Sequence, residues 1–200
     1  MSFTDPELHI MRTNNKGWDY CGNAQVSVDG TCQIILACDV TDAPNDKQQA
    51  APLAQATQAN LAQGGIERPT DESGAPQAIP ATLDNGYYSE AAVEALETLG
   101  FDPYIATERQ RHQTPEAEAS APPATAKERM AAKVRTPEGR AVYARRKVIV
   151  EPVFGQIKEG RGFRRFLLRG LKKMRGEWSL VCLTHNLLKL WRYGCAPSVV

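Results

Sequence analysis

Tyr143-Ala-Arg-Arg146-Lys147-Val-Ile-Val-Glu151-Pro-Val-Phe-Gly-Gln-Ile-Lys158 sets a single carboxylate inside a strongly basic run. Arg145, Arg146 and Lys147 precede Glu151, and Lys158, Arg161, Arg164, Arg165 and Arg169 follow it. At about 3.6 residues per turn, the seven-residue step from Glu151 to Lys158 predicts both side chains on one helical face. Two readings follow. An acid among bases on a solvated helix forms ordinary ion pairs with neighbours three or four residues away. An acid set into a surface that grips phosphates serves as a metal ligand. Spacing alone favours the first.

The surrounding charge is lopsided. From Arg140 to Arg192 there are 14 Lys and Arg against 3 Glu, while the first 139 residues hold 10 basic and 20 acidic residues. Net charge is only +1, so whole-chain composition hides an acidic front and a basic rear. Such asymmetry is expected where one part of a protein meets nucleic acid, or where the two parts pair with each other. Two hundred residues, 42% of them hydrophobic, suffice for one domain with a real core.

Other classes are excluded by what the chain lacks. Cys21, Cys32, Cys38, Cys182 and Cys195 form no CxxC pair, and no His stands at metal-ligand spacing from them. They read as reduced thiols of a cytosolic protein. The first residues carry neither a basic nor an apolar signal region. The longest apolar run, 178–191, is interrupted by His185, Asn186 and Lys189 and is too short to span a bilayer. An intracellular chain without a membrane partner is expected.

Walking outward, residues 23–29 alternate polar and apolar, and 32–40 is an apolar run. The Asp29-Gly30-Thr31 turn between them predicts an antiparallel hairpin. A helix over 47–63, with Asn45 or Asp46 as its cap, stops at Gly64-Gly65. A short strand over 79–83 precedes a helix capped by Ser89, and a further strand runs over 101–106. Residues 107–139 lose apolar period and gather Pro115, Pro122 and Pro123, which predicts a connector with some helix after Ala126. The remainder reads as one helix carrying Tyr143 to Lys158, an Arg-rich turn region, and a last helix. That last helix should bury Leu180, Val181, Thr184, Leu187, Leu188 and Trp191. Trp178 and Trp191 read as core anchors, and His185 as a satisfied core or surface group. The chain thus divides into 1–106, 107–139 and 140–193.

The 143–158 stretch resembles the C-terminal signature of the DDE transposases of bacterial insertion sequences, in which a Tyr, an Arg, a catalytic Glu and a Lys recur at near-fixed spacing. It is most similar to the branch that continues into Phe154 to Lys158, Arg161 to Phe166 and Asn186 to Leu190 as they stand here. One departure is visible: Arg146 lies five residues before Glu151, where the general signature has four, which makes Lys147 the alternative holder of the arginine's place.

The resemblance implies an RNase H-like α/β fold, a mixed sheet with flanking helices, followed by a helical, basic C-terminal part. It implies DNA transposition by metal-dependent strand cleavage and transfer, with Mg²⁺ or Mn²⁺, and double-stranded DNA (transposon ends and target) as partner. It also implies a homodimer and a bacterial, cytoplasmic, nucleoid-associated location.

Leu83-Asp84-Asn85-Gly86-Tyr87 matches the family's second acid, so Asp84 and Glu151 are the implied catalytic and metal-binding pair. Without the resemblance, Asp84 reads as a turn residue bonding its own backbone. Tyr87 and Tyr88 suit either a core or a base-stacking role. Tyr143, Arg146, Lys147, Lys158, Arg161, Arg164, Arg165 and Arg169 are the implied DNA-binding residues. The first acid has no firm place. Asp29-Gly30-Thr31 has the family's spelling, but 23–29 and 39–46 resemble its second and third strands. The expectation is therefore a C-terminal portion without its first strand, inactive alone, with Asp29 and Asp5 as weak stand-ins. The alternative is a non-catalytic DNA-binding remnant, or a regulator of a full-length transposase. An RNA-binding protein would need aromatic strand motifs that this sequence lacks.

Overall fold

Among the described residues, four strands and then a helix–strand–helix–strand run fill the first half of the chain, and helices alone fill the second half. The computed structural model describes residues 5–13, 17–107 and 125–194. Strands β1 (His9–Arg12) and β2 (Trp18–Cys21) form an antiparallel hairpin. Strands β3 (Asn23–Val28) and β4 (Ile35–Thr41) form a second one, with Val26 opposite Cys38. Helix α1 (Ala50–Gln63) follows, then β5 (Ile79–Leu83), α2 (Glu90–Thr98) and β6 (Phe101–Ile105). β5 and β6 pair in parallel with α2 as their crossover, as parallel neighbours require. Helices α3 (Ala126–Arg135), α4 (Pro137–Ala144), α5 (Arg146–Gly155) and α6 (Leu171–Tyr193) complete the chain. It is a mixed α/β protein. Where the resemblance implied one mixed sheet, the described strands form three separate pairs.

The expected order of strands and helices is present, with the β1–β2 hairpin added in front. Ser89 caps α2 as expected, accepting from the Ala92 N–H at 3.1 Å. Asp46 does not cap α1. Its carboxylate accepts from the amides of Asn23 and Gln25 at 2.7 and 2.8 Å, and Gln49 opens the helix without a side-chain cap. The β3–β4 turn is longer than Asp-Gly-Thr: the Asp29 N–H reaches Ile34 O, and Gln33 takes the left-handed conformation at φ 59°. Of the connector, 107 and 125–139 are described. There α3 carries a capping box from Thr125 and Glu128 and buries Met130 and Val134. Gly139 permits the tight α3–α4 turn, since a Cβ there would lie 2.0 Å from the Lys133 carbonyl oxygen.

The helix predicted across Tyr143 to Lys158 is broken. α4 ends at Ala144, Tyr143 belongs to it, and α5 gives way to a π-turn over Gln156–Gly160. Pro152 sits inside α5, so the Val148 carbonyl has no helical donor. The Gln33 side-chain amide fills that place at 2.7 Å. Gln33 is a hub: its carbonyl accepts from His185 Nε2 at 2.9 Å and its Oε1 from Lys189 Nζ at 2.7 Å.

Two apolar cores result. One joins β3 and β4 to α5 and α6 through Val40, Val153, Ile157 and Trp178; the other joins β5 and β6 to α1, α2 and α3 through Ala54, Leu96, Ile105 and Met130. α6 buries a different face from the one predicted. Met174, Trp178, Cys182 and His185 are inside, while Leu180, Leu187 and Trp191 are 61%, 55% and 82% exposed. The helix is apolar on both sides, and contact with β4 decides which side is covered. His185 is fully buried, and burial lowers its pKa, which keeps the ring neutral with Nε2 as donor to Gln33.

Asn186 joins the start of β4 as a strand would, accepting from Ile35 N–H and donating to Ile35 O, both at 2.8 Å. At its N-terminus α6 lacks a cap of its own. Asp5 and Glu7 accept from the N–H groups of Gly170 and Leu171 at 2.8 and 2.6 Å, two of the donors a helix start leaves unpaired.

Cys21, Cys38 and Cys182 are free thiols as expected, and Cys195 lies outside the described residues. Cys32 departs from that reading: it is disulfide-bonded and sits half-exposed in the β3–β4 turn. A hydrogen bond from Cys182 holds the Cys38 thiol down to about 7, and that bond with burial raises Cys182. Among the described residues, no helix is long and apolar enough to cross a membrane.

Candidate active site

Asp84 stands one residue past β5 and caps a 3-10 turn over Asn85–Tyr87, where its Oδ1 accepts from Asn85 N–H at 2.8 Å. The turn role read from Asp-Asn-Gly is therefore present. Its other oxygen, Oδ2, lies 3.7 Å from Nη1 of Arg146, while Nη2 of the same guanidinium lies 3.9 Å from Oε1 of Glu151. One arginine thus stands between a strand-end acid and a helix acid that are far apart in sequence. Both carboxylates are 58% exposed and Arg146 only 21%. At these distances and exposures each pair stabilises the fold by about 1 kcal/mol at most. Arrangement, not stability, is what the contacts provide.

Arg146 is itself held from the side, with its guanidinium 5.6 Å from the centre of the Tyr143 ring. Its Nε–H is buried without an acceptor. Burial raises the Tyr143 pKa, with the Arg146 charge opposing. Lys147, the alternative by spacing, is exposed, and Arg146 takes the place beside Glu151. Glu151 and Lys158 line one cavity of about 650 Å³, although the π-turn interrupts the regular helix between them. Lys158 Nζ lies 5.3 Å from the centre of the Phe154 ring. Tyr87 is held inward by its hydroxyl, which donates to Gln25 Oε1, and burial pushes its pKa up.

The stand-ins for a first acid are occupied by the backbone. Asp29 is buried and accepts from the N–H groups of Thr31, Cys32 and Ile34, closing the β3–β4 turn. Asp5 is buried at the start of α6. Among the described residues, no group of three or more His, Cys, Asp or Glu is arranged to hold a metal ion. Asp84 and Glu151 with a guanidinium between them are a partial donor set. They do not fit a pair of divalent ions roughly 4 Å apart.

The four arginines after Lys158 divide in two. Arg161 donates to Thr184 Oγ1 at 2.7 Å and to Thr184 O at 3.0 Å, so it fastens the loop to α6. Arg164 pairs with Glu159. Arg165 and Arg169 are exposed, in a loop whose Leu167 and Leu168 N–H groups are held by the Glu177 carboxylate at 3.0–3.1 Å. Gly162, at φ 68°, has open space around it. Gln33 and Asn23 escaped the sequence reading, and only their place beside a turn and in an alternating strand hinted at them.

The strand-end Asp and the helix Glu thus face a shared arginine on the wall of one cavity. Residues 104–191 match the family described as "Transposase DDE domain". The match takes in Glu151 and the basic residues that follow it as far as Lys189, and does not reach Asp84. No curated protein and no solved structure matches the chain.

Proposed function

We propose that the chain is the C-terminal portion of a DDE transposase with an RNase H-like core, and that it takes part in DNA transposition by strand cleavage and transfer. The observation that carries this is Arg146 standing between Asp84 and Glu151 on the wall of one cavity. Duplex DNA, as transposon ends and target, is the partner, met by Lys158, Arg165 and Arg169 with Tyr143, Arg146 and Lys147 nearby. The proposal keeps the division at 106 and 139 and a bacterial, nucleoid-associated location. Mg²⁺ or Mn²⁺ belongs to the reading through the family; the two acids here supply only part of its ligands. That shortfall favours a second reading, a remnant that binds DNA or regulates a full-length transposase without cutting.

The purified chain is expected to retain duplex DNA in a gel shift and to leave it uncut and unjoined with Mg²⁺ or Mn²⁺. Cleavage abolished by Asp29→Ala would make Asp29 the first acid and the chain a complete enzyme. Cleavage that survives both Asp84→Asn and Glu151→Gln would remove the site proposed here. Failure to bind duplex at low salt would remove the partner.

The same reading includes a homodimer. On α6, Leu180, Leu183, Leu187 and Leu190 are exposed at alternating steps of three and four, the spacing by which two helices interlock. Sedimentation velocity should show a dimer that Leu183→Glu with Leu187→Glu converts to monomer. A monomeric wild-type protein would rule the dimer out.

A further inference from the structure

Two cysteines outside the candidate active site meet where α6 lies against β4. The Cys38 thiol donates to Oγ of Ser179 at 3.9 Å. Cys182 follows Ser179 by three residues, which puts both on one side of the helix. From there Cys182 shares a hydrogen bond with Cys38, sulfur to sulfur. Cys182 is 4% exposed and belongs to the apolar core, and Cys38 packs half-buried against that core.

Strand and helix are tied on both sides of the pair. Arg175, one turn before Ser179, meets Asp39 at 2.8 Å and the Val40 carbonyl at 2.9 Å. Asn186, one turn after Cys182, holds both backbone groups of Ile35 at 2.8 Å. The two sulfurs are thus kept in contact by the packing of α6 on β4. They are also unlike in character. The hydrogen bond from Cys182 brings the Cys38 thiol down to about 7, against burial and the Asp39 charge, while Cys182 is raised, with Arg161 opposing the rise. One sulfur is ionised and reachable, and the other is a protonated neighbour. Cys21, also free, is raised by burial and by Asp19.

We propose that Cys38 and Cys182 are a peroxide-reactive dithiol: a small hydroperoxide oxidises Cys38, and Cys182 then closes a disulfide between β4 and α6. In the first step the Cys38 thiolate attacks one peroxide oxygen. The S–O bond forms, the O–O bond breaks, and the departing oxygen takes a proton and leaves as an alcohol or water. Cys38 is then a sulfenic acid. Its negative charge, which had helped to raise Cys182, is gone, so the Cys182 proton is easier to release. In the second step the Cys182 sulfur attacks the Cys38 sulfur. The S–S bond forms, the S–O bond breaks, and the hydroxide takes the Cys182 proton and leaves as water. Two thiols give up two electrons, and one peroxide is reduced. Nothing in this chemistry depends on the chain being a transposase.

The test treats the whole chain at neutral pH with a small excess of hydrogen peroxide. Remaining thiols are then blocked with N-ethylmaleimide in urea, and the chain is digested without reductant. Mass spectrometry should find the peptides of Cys38 and Cys182 joined, lighter than their sum by two hydrogens, with Cys21 carrying the blocking group. The Cys38 thiol should disappear about threefold or more faster than that of Cys21, its larger thiolate fraction being partly offset by the weaker nucleophilicity of an acidic thiol. Dithiothreitol should restore both thiols. In Cys182→Ala, Cys38 should stop at the sulfenic acid, trapped with dimedone, and the wild-type peptide map decides whether or not that variant folds. Cys38 carried on to a sulfinic acid in the wild type, with Cys182 found blocked, overturns the proposal. So does a Cys21 that oxidises as fast as Cys38, or a bridge from either cysteine to a different one.

Discussion

Trp178→Ala is expected to lower the stability of the protein by about 3–5 kcal/mol, the cost of deleting a large aromatic side chain from a packed core. Trp178 is 2% exposed, and the rings of Phe154, Phe163 and Phe166 lie 6.2, 6.2 and 6.3 Å from it, centre to centre. Its indole N–H also donates to the buried carbonyl of Gln25 at 3.0 Å, which alanine would leave without that donor. Trp191→Ala supplies the contrast: with 82% of its surface exposed, its loss should stay within about 0.5 kcal/mol. Urea unfolding of the two variants decides the matter. Equal midpoints would mean that α6 does not pack through Trp178.

Duplex binding should depend steeply on salt, and Arg165→Ala with Arg169→Ala should flatten that dependence. Each phosphate contact adds about 0.9 to the slope of log affinity against log salt, so losing two contacts removes about 1.8. Arg161→Ala is expected to act differently. Its guanidinium is spent on Thr184, so its loss should destabilise the loop and leave the slope near the wild-type value. Fluorescence anisotropy titrations at several KCl concentrations separate the two effects. A slope untouched by the Arg165 and Arg169 pair would reduce both to a solvated face.

The elements that were legible in the sequence are those whose signals are local. Alternation over 23–28, the cap at Ser89 and the strand over 79–83 depend on neighbours within a few residues, and each stands where its pattern placed it. What was not legible depends on partners far along the chain. α6 carries apolar residues on two faces, and only the approach of β4 selects Trp178 and Cys182 over Leu180 and Leu187. Asp46 has a good capping side chain, but Asn23 and Gln25 claim its carboxylate. At the candidate site, a departure of one residue in spacing left Arg146 and Lys147 as rivals. In the fold the Arg146 guanidinium lies within 4 Å of both acids, a contact that spacing does not reveal. The opening of the β1–β2 hairpin carried no strong alternation, and its pairing was not foreseen.

Gln33, filling the bond that Pro152 leaves open, sets a limit on how the protein can be cut. The basic third looks from its charge like a portable module, yet the helix bearing Glu151 completes its own bonding with a side chain from the β3–β4 turn. The last helix leans on that same residue, on Ile35, and on the carboxylates of Asp5 and Glu7. Shortened from the front, the Arg-rich segment would lose the scaffold that gives it shape and keep only its charge. Shape and charge can therefore be told apart by whether that segment, freed of residues 5–35, still holds DNA but no longer resists proteolysis.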